Sequence, residues 1–113
     1  MNGRKNKNMN KKYIEREKEV VEAMKSIMDK DGLFVKPLSE FWRGSTFAET
    51  SAYGLYGLWL DGSGSSTING KRIADYYNKK LFDGSNELKN FCKAHNMYLE
   101  WYDCETIMLL FKD

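Results

Sequence analysis

An α+β fold follows from three observations: a long N-terminal helix and one or two shorter helices packed on a mainly antiparallel sheet of about four strands. Residues 11–30 carry apolar side chains at helical spacing. Residues 53–60 and 107–111 are apolar runs bounded by turn residues, and residues 97–102 alternate in the period of a half-buried strand. Helix followed by strands, a further helix and paired strands is the pattern of a two-layer α+β domain.

The first helix places Tyr13/Ile14, Val20/Val21, Met24 and Ile27/Met28 on one stripe, with Glu and Lys on the opposite face. Glu15, Glu17 and Glu19 lie toward its start and Lys25 and Lys30 toward its end, in agreement with the helix dipole, which Lys11 and Lys12 oppose, and Gly32 is the natural C-cap. Burial against the protein's own sheet is the use expected of the stripe; the seam of a dimer is the other use its spacing allows. Leu33–Lys36 is expected to be extended, because Pro37 disfavours the α conformation before it, and Leu38–Arg43 to form a compact amphipathic turn.

Tyr53–Leu60 reads as a strand with Tyr53, Leu55 and Trp59 on one face and Tyr56, Leu58 and Leu60 on the other. Its glycines suggest a bulge or the close approach of another backbone. The run stops at Asp61-Gly62, a Gly/Ser-rich loop reaches Thr67, and the chain is expected to return alongside. Asn69-Gly70 is a further tight turn, and the spacing of Ile73, Tyr76, Tyr77 and Leu81 predicts a short helix over 72–81. Asp83 or Ser85 caps the next helix, which has Leu88, Phe91, Cys92 and His95 on one face and Asn96 as a left-handed terminator. Met97–Tyr102 then alternates, Asp103–Thr106 turns, and Ile107–Phe111 is apolar enough to be a central strand.

A chain of 113 residues has the size of one domain. Arg4, Lys5, Lys7, Lys11 and Lys12 give residues 1–12 a charge of +5, so these residues are set apart as a basic, flexible arm before a domain spanning 13–113. Removing those five from the 18 basic residues leaves 13 against 16 acidic, so the body is mildly acidic. With 42% hydrophobic and 30% charged residues the chain is globular, and no window approaches the roughly 18 apolar residues of a membrane span. No apolar region follows the basic N-terminus, so a soluble, cytoplasmic protein is expected, with Cys92 and Cys104 as thiols.

Catalytic signatures are weak. Cys92 and His95 share a helical face, but that face also carries Leu88 and Phe91, and neighbours three apart on one helix seldom have the geometry of a nucleophile and base. Cys92, His95, Asp103 and Cys104 are zinc-type ligands without a standard spacing. The loop at 61–67 lacks the endings of phosphate-binding loops. No enzyme activity, cofactor or metal is expected.

The surplus of Trp and Tyr favours a binding protein acting through protein contacts, with Phe41, Trp42, Arg43, Trp59, Tyr98, Glu100 and Tyr102 as candidate partner-binding residues. The Lys, Asn, Tyr and Ile usage has the stamp of an AT-rich bacterial or phage gene, whose small acidic-bodied products include inhibitors of host defence such as anti-CRISPRs. The alternative is nucleic-acid binding through Arg4, Lys5 and Lys7 of the arm with Arg72, Tyr76, Lys79 and Lys80, where rings interleave with cations.

Overall fold

The protein is described from a computed structural model that covers the backbone of residues 2–29, 34–41 and 56–112, with side chains from residue 11 onward. Gly32, Trp42, Arg43 and Tyr53–Leu55 lie outside the described residues, as do the side chains of Arg4, Lys5 and Lys7. The architecture is α+β. Helix α1 spans Asn2–Ile27, β1 Lys36–Pro37, α2 Leu38–Phe41 and β2 Gly57–Asp61; β3 Thr67–Ile68 and β4 Lys71–Arg72 follow, then α3 Asn86–His95, β5 Met97–Asp103 and β6 Thr106–Phe111. The bounds of α1 therefore take in residues 2–12.

Four strands form one antiparallel sheet in the order β1-β2-β6-β5, and β3 with β4 forms a separate hairpin. β6 is central, as its nearly unbroken apolar sequence requires, and Ile107–Phe111 are all buried. The return expected after the Gly/Ser loop is different: β2 pairs with β6 and β1, and the chain beyond the loop folds back on itself as β3 and β4. Asn69 (φ 54°) and Gly70 (φ 76°) make the two-residue turn with both central residues at positive φ, the geometry that matches strand twist.

On one side of the sheet Leu58, Leu60, Ile107, Leu109 and Phe111 pack against Val20, Val21 and Met24 of α1 and Leu88, Phe91 and Cys92 of α3. Met24, Leu58, Leu60, Leu88, Ile107 and Leu109 are fully buried there, each worth about 1.5–3 kcal/mol of burial. The expected close approach falls at Gly57, where a Cβ would stand 1.9 Å from the Leu109 carbonyl oxygen. Ser85 caps α3 by accepting from Leu88 N, and Asn96 (φ 55°) ends it with its N–H on the Cys92 carbonyl.

The helix expected over 72–81 is absent. The segment is a chain of turns, with Asn78 N donating to Asp75 O, Leu81 N to Asn78 O and Gly84 N to Leu81 O. Asp75 and Asn78 also accept from Tyr77 N and Lys80 N through their side chains, and this local competition for N–H groups defeats the helix.

Candidate functional site

The second side of the sheet carries the candidate site. Leu38, Met108 and Leu110 are buried together on it, with Phe41 and Trp59 packed against them. Strand register sets Trp59 opposite Met108 and Met108 opposite Glu100, while Leu110 faces Tyr98. Side chains alternate along β5 as far as Trp101, so Tyr98 and Glu100 point to this side; Tyr102 sits at a register shift, and its contact with Phe41 places it there. Phe41, from the single turn α2, meets Trp59 at a centroid distance of 5.2 Å and Tyr102 at 4.8 Å, both edge to face. Five of the seven partner-binding candidates thus share one face, and the other two, Trp42 and Arg43, lie outside the described residues.

The rim of this face is open: Tyr98 is 37% and Tyr102 51% exposed, and Glu100 is exposed between them. The Trp59 indole N–H is buried without a hydrogen-bond partner among the described residues, a state that costs about 1–3 kcal/mol. Met108, Leu110 and Trp59 thus form an apolar floor with two tyrosines and a carboxylate at its rim.

A buried carboxylate anchors this face from beneath α1, where the helical pattern had put a solvated one. Glu17 is fully buried. It accepts from Ser39 N at 3.0 Å, from the Ser39 hydroxyl and from Gly57 N at 2.9 Å. The need is topological: β1 ends at Pro37, so Gly57 N has no strand opposite it and the first N–H groups of α2 have no helical partner. Burial raises the Glu17 pKa despite these hydrogen bonds. Burial and then the Glu17 charge raise Tyr56, which stacks on Tyr13 at 5.1 Å. One signal pointed to this placement: Glu17 lies three and four residues before Val20 and Val21, within the apolar stripe.

The nucleic-acid candidates divide. Arg72 and Lys80 join Lys71 and Lys89 around a groove of about 460 Å³, in which Arg72 is paired with Asp75 at 2.9 Å and Lys71 with Glu87 at 4.0 Å. Tyr76 instead joins an aromatic cluster with Tyr77, Phe82 and Trp101, held by the Trp101 indole N–H donating to Phe82 O at 2.8 Å. Lys79 is exposed and does not line the groove.

Cys92 is buried, and its thiol is pushed up to about 11 by burial, so it is protonated at neutral pH. His95 lies against Phe91 with the ring centroids 4.3 Å apart and the planes tilted by 38°. Cys104 is exposed in the turn after β5 and raises the pKa of the Tyr77 hydroxyl beside it. Among the described residues no three of His, Cys, Asp and Glu are grouped to hold a metal ion, and no helix is long and apolar enough to cross a membrane. No protein-family model, curated protein or solved structure matches this chain.

Proposed function

We propose that this is a small non-catalytic binding protein that acts through protein contacts made by the sheet face around Trp59. The observation supporting this reading is the convergence of Phe41, Trp59, Tyr98, Glu100 and Tyr102, drawn from three separate stretches of sequence, onto one apolar floor with an acidic and aromatic rim. Aromatic anchors supply binding energy in such a patch, and Glu100 favours a partner with a basic residue at its centre. In this reading the protein works in the cytoplasm, where its thiols stay reduced. Its residue usage extends the reading to an inhibitor, an antagonist of host defence encoded by a phage or mobile element.

A second reading, nucleic-acid binding, draws on the groove that gathers Lys71, Arg72, Lys80 and Lys89. Capture of the tagged protein from lysate of its own cells, with and without nuclease, followed by mass spectrometry, separates the two. A protein recovered equally in both supports the first reading. Recovery abolished by nuclease, with an affinity falling steeply as salt rises, supports the second and sinks the first.

A further inference from the structure

We infer that the free edge of β5 receives a second copy of this chain, the two joining antiparallel into one continuous sheet with four strands from each. The sheet has two edges, and they are built differently. β1 is two residues long, contains Pro37 and leads directly into α2, all devices that blunt an edge. β5 is seven residues long, pairs with no strand but β6 among the described residues, contains no proline, and keeps a regular register from Met97 to Trp101, shifting only between Trp101 and Asp103.

Its outward backbone groups follow from the register. Lys112 N donates to Asn96 O at 3.0 Å, and the pairing continues as Met97 opposite Phe111 and Tyr98 opposite Leu110. Bonded pairs alternate in an antiparallel ladder, so Tyr98 and Glu100 exchange hydrogen bonds with β6, and the N–H and C=O groups of Met97, Leu99 and Trp101 face away from the sheet. No described residue bonds the backbone of Leu99 or Trp101 from that side.

The charges around the edge choose the occupant. Lys89, Lys93 and Lys112 gather beside Met97 at one end, with Asp83 the one acid among them. Glu100, Asp103 and Glu105 occupy the other end and are exposed. A strand running antiparallel with the same polarity brings each basic end against an acidic one, the self-complementarity that a two-fold interface demands. Setting Leu99 opposite Leu99 of the second copy forms about six backbone hydrogen bonds and places Glu100 opposite Tyr98. The register centred on Glu100 would instead oppose two like charges. Edge pairing leaves the Trp59 face open, so the dimer carries two such faces on one side of a single sheet.

The test is sedimentation velocity over a concentration series with two charge-reversed variants of exposed residues, Glu100→Lys/Glu105→Lys and Lys93→Glu/Lys112→Glu. The wild type should form a dimer that weakens as salt rises, each variant alone should be monomeric, and an equimolar mixture of the two should associate again. Amide exchange at Leu99 and Trp101 should slow with protein concentration. A wild type that stays monomeric up to millimolar concentration overturns the inference, whether the edge is idle or takes a foreign strand. A dimer that survives in both single variants overturns it as well, because it must use another surface.

Discussion

Two carboxylates, Glu17 within α1 and Asp29 just past its C-terminal end, do the same chemistry in opposite surroundings. Glu17 is buried and accepts from Ser39 N, the Ser39 hydroxyl and Gly57 N; Asp29 is exposed and accepts from the Thr67 hydroxyl at 2.7 Å, Asn69 N at 3.0 Å and Gly70 N at 2.7 Å. Each ties together chain segments remote in sequence. Their pKa values nevertheless move apart: burial lifts Glu17 above its usual 4.5, whereas the hydrogen bond from Gly70 and then that from Thr67 lower Asp29 below 3.8. Hydrogen bonds to a carboxylate favour its charge, and desolvation opposes it; solvent access decides which prevails.

The largest effect is expected at Glu17. Glu17→Ala leaves the Ser39 and Gly57 donors buried without an acceptor and should cost about 3 kcal/mol or more, read by urea denaturation. A loss no greater than that of Asp29→Ala would break the contrast. Gly57→Ala should approach the same cost, about 3 kcal/mol, because its Cβ meets the Leu109 carbonyl and its φ of +145° strains any other residue. Ser39→Ala removes only the hydroxyl donor and should cost about 1 kcal/mol.

The pH dependence sharpens the comparison. The raised Glu17 pKa contributes stability that is complete below the unfolded-chain value and is lost as pH rises through the folded one. Asp29 contributes stability above its ordinary range that is lost as pH falls through its depressed value. Glu17→Gln should therefore remove a decline in stability on the alkaline side of 4.5, and Asp29→Asn a decline on the acid side of 3.8, both measured by denaturation across pH. Smallest is the effect of Asp29→Ala near neutral pH, faster amide exchange at Asn69 and Gly70 with the rest of the molecule unchanged.

Local signals were legible in the sequence, and long-range ones were not. Ser85 and Asn96 bound α3 because cap preferences act within a few residues, and Asn69-Gly70 makes its turn for the same reason. The central position of β6 was legible because burial on both faces leaves no room for polar residues. Glu17 was misplaced because its partners lie 22 and 40 residues away, at a strand edge that only the folded topology creates. The same holds for the pairing of β2 with β6. At 72–81 the helical spacing of Ile73, Tyr76 and Tyr77 was outweighed by Asp75 and Asn78, whose side chains capture the N–H groups two residues on. Among the candidate partner residues, alternation along β5 grouped Tyr98, Glu100 and Tyr102, but only register brought Trp59 and Phe41 beside them.

The central claim is that the Trp59 face is the working surface, and the most direct test compares partner capture by two variants. Tyr98→Ala/Glu100→Lys/Tyr102→Ala alters the rim of the face, and Lys71→Ala/Lys80→Ala/Lys89→Ala removes three cations of the groove. After nuclease treatment, with folding of both checked by circular dichroism, the face variant should lose the protein partner that the wild type recovers and the groove variant should keep it. Retention by the folded face variant, with loss in the groove variant, would contradict the account.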